Sequence, residues 1–328
     1  MLKQMIKGII TCVPGAYRTL FRNYTGGTES ARYCYSVWLR HLVLARDNGF
    51  MVDPKVVAEI GPGDSLGIGL AALISGVEKY FAFDIVDYTS AERNLTIFDE
   101  LVALFEQRAD IPDDQEFPEV EPRLSTYRFP ADILTEARLD TALASQRLER
   151  LRRSIRELGV GDDTIQYKVP WYDVQVVKAN SVDMILSQAA LEHVDELQLA
   201  YENMYSWLRP GGFVSHAIDF RSHGSANDWN GHWTYSDLVW KLITGRRPYL
   251  INRQPHSRHL ALLAQAGFEV TTDAVQHSPS RFTLPDLAPR FRRLQPEDLV
   301  TSTAFIQARK QLANAAQAGG KSVRVSTT

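Results

Sequence analysis

Apolar positions change period along this chain, and each change marks an element. Over residues 29–47, Ala31, Cys34, Trp38, Leu42 and Ala45 recur at steps of three and four, which places them on one face of a helix. Asn48-Gly49 is its stop signal. Tyr33, Tyr35 and His41 flank that face; core packing is the expected role of this helix, and a lid over a ligand pocket is the alternative. Residues 56–60 form an apolar run of strand length, followed by the turn Gly61-Pro62-Gly63-Asp64-Ser65-Leu66-Gly67. The small and apolar stretch 68–76 reads as a buried helix, and 78–83 as a second strand that ends at Asp84. Strand, glycine turn, helix, strand and acidic residue together predict a βαβ unit with a right-handed crossover.

The pattern breaks over 90–163. Residues 114–130 carry three prolines and several acids and predict a loop. Residues 140–159 predict a helix, with Leu143, Leu148, Leu151, Ile155 and Leu158 on one stripe and five arginines mostly on a solvated face. Alternation then resumes. Strands are predicted at 164–169, 183–187 and 213–220, and a helix at 191–208 stopped by Arg209-Pro210-Gly211-Gly212. A helix at 259–266 and strands at 268–275 and 301–308 complete the order. The expected organisation is an N-terminal helical segment at 1–50, one domain over 51–312 with insertions at about 90–163 and 221–258, and a flexible tail at 313–328.

A chain of 328 residues can bury roughly three quarters of its unfolded surface, so no disulfide or metal staple is required. The balance of 36 Lys+Arg against 39 Asp+Glu removes the global electrostatic argument for a nucleic-acid partner. Two cysteines, Cys12 and Cys34, make neither a disulfide framework nor a four-thiolate zinc site. No run of 18 apolar residues exists, so no membrane span is predicted and a cytoplasmic location is expected. Residues 1–20 hold a short apolar run broken by Pro14. A docking helix is the expected reading, and a weak interfacial helix with Lys3 and Lys7 near lipid the sharper one.

The glycine turn carries the first chemical signal. Glycines between strand and helix let backbone approach a ligand without a Cβ in the way, and a helix start adds free N–H groups. An acidic residue ending the second strand, here Asp84, can accept both hydroxyls of a ribose. A dinucleotide fold wants G-x-G-x-x-G, whereas Leu66 stands at the third glycine position. Glu59, before the first glycine, repels a pyrophosphate and suits a ligand that carries an ammonium group.

Taken together, Glu59-Ile60-Gly61-Pro62-Gly63, Asp84, the run 181–187, Leu191-Glu192-His193-Val194 and Leu208-Arg209-Pro210-Gly211-Gly212 resemble the class I S-adenosylmethionine-dependent methyltransferases of the small-molecule type. The resemblance covers about two thirds of the chain. It implies an α/β, Rossmann-like, seven-stranded and mostly parallel sheet with an antiparallel last strand, and S-adenosyl-L-methionine as cofactor. It implies that Gly61, Pro62 and Gly63 pass under the methionine portion, with Glu59 beneath ordering the loop or the ammonium group. Asp84 would hold the ribose, Ile85 would face the adenine, and Ser187 and Gln188 would border the sulfonium. The acidic residue that many members place after the third strand is replaced by Pro170-Trp171-Tyr172-Asp173. Either Trp171 stacks on the adenine or Asp173 makes the contact.

On the acceptor side, seven of the eight histidines lie between His193 and His277. A hydroxyl acceptor must lose a proton, and a nearby His or Asp can take it. Asp219 and His223, where the chain leaves the fifth strand, are the favoured pair. His216 is a further candidate whose ordinary role would be a core histidine. His216, Asp219, His223 and His232 could ligate a metal, but their spacing is not diagnostic and a metal-free acid–base role is expected. The segment 221–256, with Trp229, Trp233, Tyr235, Trp240 and Tyr249 and with Arg246, Arg247, Arg253 and Arg258 in it or just after, predicts a substrate loop or a satellite subdomain. The expected activity is O-methylation of a small hydroxyl-bearing metabolite, such as a sugar or secondary metabolite with an anionic group. The rivals are a nicotinamide-dinucleotide-dependent oxidoreductase and a non-catalytic cofactor-binding module of the same fold.

Overall fold

Apolar runs too short for helices form the centre of the molecule. The computed structural model describes residues 2–12, 28–160, 163–247 and 250–312; the expected tail and Tyr249 lie outside them. Helices α1 (Leu2–Ile10) and α2 (Ala31–Asp47) come first, and the Ser30 side chain caps α2 by accepting from the Tyr33 N–H. Then follow β1 (Val56–Ile60), α3 (Gly67–Ile74), β2 (Lys79–Phe83) and α4 (Ala91–Glu106). Next come α5 (Glu136–Ala142), α6 (Ser145–Arg156), β3 (Ile165–Lys168) and β4 (Val182–Gln188). Helix α7 (Leu197–Trp207) leads to β5 (Leu208–Asp219), α8 (Asp237–Thr244) and α9 (His256–Ala266). Strands β6 (Phe268–His277) and β7 (Thr301–Lys310) finish the described chain.

The sheet runs β3-β2-β1-β4-β5-β7-β6, with β7 antiparallel to both its neighbours. β1 pairs in parallel with β2 on one side and β4 on the other. The strand order therefore reverses beside β1, and a crevice opens at the carboxyl ends of β1 and β4, where such folds bind ligands. One face is covered by α2, α3, α4 and α6, through Trp38, Leu42, Phe98 and Leu151 among others. The opposite face is covered by α7 and α9, through Met204, Trp207 and Leu263. Burial on both faces is why β1 and β2 read as continuous apolar runs rather than alternating ones. Among the described residues, no helix is long and apolar enough to cross a membrane.

Four expectations change. The helix expected over 140–159 is two helices, α5 and α6, and both pack with α4 into the central core. Arg147 is not on a solvated face: its guanidinium donates to the carbonyls of Leu73 at 2.7 Å and Val77 at 2.8 Å. The helix expected over 191–208 opens with a separate 3-10 turn, Leu191–His193, before α7. The Asn252 side chain separates the two by donating to the carbonyls of Leu191 and Val194, each at 2.8 Å. Finally, Arg209-Pro210-Gly211-Gly212 does not end a helix in a loop but forms the irregular start of β5, with a register shift against β4.

The least anticipated structural element is Arg40 on α2. It is fully buried. Its guanidinium pairs with Asp114 at 2.9 Å and donates to the carbonyls of Val120 at 2.7 Å, Pro122 at 3.2 Å and Pro112 at 3.0 Å. A buried cation survives only when every donor is met, and here it holds the 110–122 loop onto the core. Arg40→Leu should lower the unfolding free energy by about 3–5 kcal/mol, because it strands Asp114 and three carbonyls. Chemical denaturation read by tryptophan fluorescence checks this, and a change below about 1 kcal/mol would count against the assigned role.

Candidate functional site

The carboxyl ends of β1, β2 and β4 surround a cavity of about 380 Å³. Gly61, Pro62 and Gly63 form one wall, with Gly61 at φ 72° and Gly63 at φ 74°. Those left-handed values favour glycine, and a Cβ at Gly61 would lie 2.6 Å from the Cβ of Ala190. The Gly61 N–H donates to the carbonyl of Phe83 at 2.8 Å, which ties the glycine turn to the end of β2. Asp84 follows directly. Its Oδ1 accepts the Ile85 N–H at 2.7 Å, and burial raises its pKa against the lowering effect of those backbone donors.

Asp84 and Ile85 line the cavity, as do Trp171 and Gln188. Trp171 is packed between Phe83 and Trp207, at ring-centroid distances of 6.0 and 6.2 Å. Asp173 does not reach the cavity; its side chain caps a 3-10 turn by accepting the Gln175 N–H at 2.9 Å. Of the two residues left open for the adenine side, Trp171 lines the cavity and Asp173 does not.

Two of the residues expected around the cofactor lie behind the cavity wall rather than in it. Glu59 is sealed beneath the glycine turn and accepts a hydrogen bond from the Tyr80 hydroxyl. Gly69 makes this contact fit, because a Cβ there would run into the Tyr80 ring. Burial pushes the Glu59 carboxyl up to about 7, against the opposing effect of the Tyr80 hydrogen bond. Glu59 therefore orders the loop and does not face an ammonium group. Ser187 is also fully buried, with its Oγ 2.8 Å from His216 Nδ1.

That bond locates His216 as well. It lies wholly inside the core, and burial pushes its pKa down to about 3. It does not line the cavity, so the structure removes it from the candidate bases: strand alternation told its face and not its depth. Gln188 does reach the cavity, and its Oε1 lies 3.1 Å from His41 Nε2. His41 Nδ1 meets Ser215 Oγ at 2.8 Å, and Gln307 Nε2 donates to the same oxygen at 3.1 Å. Burial lowers the His41 pKa to about 4, so it holds Gln188 as a neutral ring. Sequence reasoning placed His41 beside the helix stripe without this role.

The opposite end of the cavity carries His193 and His223. His223 adopts φ 46°, a left-handed conformation that costs a non-glycine residue roughly 1–2 kcal/mol. Its Nε2 lies 3.2 Å from Asp219 Oδ2. Asp219 itself is behind the wall and takes the Arg221 guanidinium through both oxygens, at 2.9 and 2.8 Å. Burial alone would raise Asp219, but His223 and Arg221 outweigh it and hold the carboxyl well below the usual range. A carboxylate so committed is a poor proton acceptor. The structure thus separates the favoured pair, with His223 at the cavity and Asp219 as its anchor. His232 is buried elsewhere, its pKa pushed down to about 3 by burial. The metal set considered from sequence, with His216 and His232 in it, is not assembled.

The 221–256 segment is mostly the satellite subdomain. Trp233 is buried against Leu287, Ala288 and Phe291, with Trp229 packed beside it. Arg253 stacks on Trp240 at 4.5 Å and pairs with Asp237 at 2.9 Å, so it is structural. Among its described residues, His223, Arg247 and Leu250 are the parts of this stretch at the cavity. Tyr33, Tyr88 and Glu192 were not singled out for the site. The first two line the cavity, and only the flanking position of Tyr33 on its helix could have pointed to it.

Residues 141–215, which span β3, β4 and α7, match the family model of a methyltransferase domain. With the reversed strand order, the glycine turn and Asp84, that match marks a methyltransferase domain within the chain. No curated protein matches the chain. Among solved structures, an S-adenosylmethionine-dependent methyltransferase from Mesorhizobium loti is 13% identical, with a TM-score of 0.42 and coverage of 86% of this chain and 100% of that one. A methyltransferase from Methanosarcina mazei is 12% identical, at TM-score 0.43, covering 81% and 97%. Phosphoethanolamine N-methyltransferase 2 from Haemonchus contortus, in complex with S-adenosyl-L-methionine, is 14% identical, at TM-score 0.40, covering 89% and 61%.

The methyltransferase cavity fits its cofactor, S-adenosylmethionine. The turn puts glycine backbone at 61 and 63 on the cavity wall, a Cβ at Gly61 would meet Ala190, and Asp84 and Trp171 line the same cavity. Asp84→Ala should weaken S-adenosylhomocysteine binding by roughly 1–3 kcal/mol, the worth of a hydrogen bond to a charged group. Isothermal titration checks it, and unchanged affinity would remove Asp84 from the site. Glu59 gives a pH signature. Its folded pKa of about 7 lies above the ordinary 4.5, so the unfolded state releases its proton first and stability falls as pH rises through that window. The loss is complete above pH 7 and reaches up to about 3 kcal/mol. Glu59→Gln should flatten this decline, and denaturation at pH 5 and pH 8 would show a persisting slope if Glu59 is not its source.

Proposed function

We propose that this methyltransferase O-methylates a small hydroxyl-bearing metabolite, a sugar or secondary metabolite that carries an anionic group. The observation that supports this reading is His223, on the cavity wall and anchored by Asp219 at 3.2 Å. Bound S-adenosylmethionine supplies a methyl group already activated on a sulfonium, so the protein has mainly to position the acceptor and accept its proton.

Each task has a residue. The glycine turn and Asp84 hold the cofactor at one end of the cavity. Gln188, fixed by neutral His41, borders the middle. His223 Nε2–H donates to Asp219 Oδ2 and leaves Nδ1 to receive the hydroxyl proton. The ionised Asp219 then stabilises the imidazolium that forms, and Arg221 keeps Asp219 in place. Arg247 brings positive charge to the same cavity, which favours an anionic group on the acceptor.

A nitrogen acceptor that is neutral at the working pH would also need a base, so the methylated atom is the point to test. A panel of hydroxylated and amino acceptors with methyl-labelled S-adenosylmethionine should give label on oxygen. His223→Ala should then lower kcat by about 10²–10⁴ while S-adenosylhomocysteine affinity stays within about threefold. Label found on nitrogen, or full turnover in His223→Ala, would overturn this reading. Cofactor binding without transfer to any acceptor would favour the non-catalytic module.

A further inference from the structure

We propose that Glu192, His193 and His223 form a binding site for one divalent cation at the acceptor end of the cavity. What the cation does there rests on the methyltransferase reading; where it binds does not. One ligand atom from each of the three residues lies within 4.8 Å of the others. The residues come from two separate elements: the 3-10 turn after β4, and the stretch just after β5. The rings of His193 and His223 meet edge to face at 5.1 Å.

Glu192 supplies the independent observation. It is only 3% exposed, and neither carboxylate oxygen has a hydrogen-bond partner of good geometry. His223 Nε2 faces it at 3.9 Å from Oε1, and the Asp219 carboxylate and the backbone N–H groups of Glu192 and Asp219 lie close by. Burial pushes this carboxyl well above the ordinary carboxylate range, and a cation that displaced its proton would complete it. No packing need explains it either, since an apolar residue of the same size would fill the space without that cost. Its position is held from outside: the Asn252 N–H donates to the Glu192 carbonyl at 2.6 Å, and the Asn252 side chain straps the rest of the turn. Asp219, itself gripped by Arg221, stands 3.2 Å from the same His223 Nε2 and adds a second carboxylate beside the site.

Two imidazoles and one carboxylate favour a transition-type ion such as Mn²⁺, Fe²⁺ or Zn²⁺ over Mg²⁺ or Ca²⁺. Ligand bonds of about 2.0–2.2 Å put donor atoms roughly 3.3 Å apart, so the three side chains must close by about 1 to 1.5 Å. His223, 29% exposed on the cavity wall, is the exposed member of the three and the one that would have to swing from Asp219. His193 and His223 both line the cavity, so the remaining coordination positions open toward the acceptor. An acceptor hydroxyl bound there is acidified by the ion's charge. A cation and a proton compete for the same imidazole. With the ion bound, the acceptor oxygen would keep the O–H electron pair and the proton would pass to solvent beside the part-exposed His223.

The test uses the full chain, dialysed against EDTA and then metal-free buffer, and titrated with MnCl₂ by calorimetry and by electron paramagnetic resonance. The same sample is titrated with S-adenosylhomocysteine. One equivalent of Mn²⁺ should bind. Glu192→Gln and His223→Ala should each weaken it by about 10-fold or more, with S-adenosylhomocysteine affinity within about threefold of wild type. Glu192→Gln keeps the shape of a buried side chain, and His223→Ala removes a cavity-wall ring, so a folding defect in one leaves the other to decide. No uptake of Mn²⁺ or Zn²⁺ by wild type up to about 1 mM, or undiminished uptake in either folded variant, overturns the site. Binding of S-adenosylhomocysteine in that same sample would then leave the methyltransferase reading standing. Manganese uptake without S-adenosylhomocysteine binding keeps the site and removes its role in methylation.

Discussion

The backbone at Gly61 and the turn at Ala190 approach so closely that no side chain fits between them. This steric constraint joins the two halves of the site. On one side, it lets the glycine turn run over the buried Glu59–Tyr80 pair. On the other, it fixes where the chain leaves β4, and hence where Gln188, Glu192 and His193 stand. The strand reversal beside β1 makes the crevice, but the missing Cβ sets how wide it is. Any residue other than glycine at 61 would have to displace the very turn that carries the acceptor wall, besides paying for a left-handed backbone.

Much of this arrangement was legible because its signals are local. The limits of β1 were read correctly, since a both-sides-buried strand is an unbroken apolar run. The glycine turn, Asp84 and Gln188 were legible for a similar reason: a bend without side chains and a residue at a strand tip keep their meaning within a few positions. His216 was not, because alternation along β5 assigns a face while burial depends on Ser187, Tyr201 and the neighbouring strands. Arg40 looked like one charge on a helix. Its role is set by four acceptors between residues 112 and 122, and no local pattern announces them. The tryptophans after β5 suggested ligand stacking, yet Trp233 packs against Phe291, nearly sixty positions away in the chain.

Buried polar side chains do a different job from the charged groups behind the cavity wall. Gln188, His41, Ser215, Gln307 and Asn48 form a continuous hydrogen-bonded line across β4, β5 and β7 to the end of α2. Burial keeps the histidine in this line uncharged, so the line has one protonation state across the working pH range. Rigidity at Gln188 therefore costs no charge inside the core. The charged pair of Asp219 and Arg221 stands instead on the far side of the cavity, behind the ring of His223.

The segment held by Arg40 has one further contact. Glu119, in that segment, pairs with Arg221, which in turn grips Asp219 and so the ring of His223. A stretch with no strand or helix of its own thereby becomes the far strut of the acceptor wall. Trimming or rewriting residues 110–122 would disturb the chemistry from a distance while leaving every cavity-lining side chain in the sequence. Relatives that differ only in this stretch should consequently differ in how firmly they orient the imidazole, which makes the segment a natural place for acceptor preference to diverge.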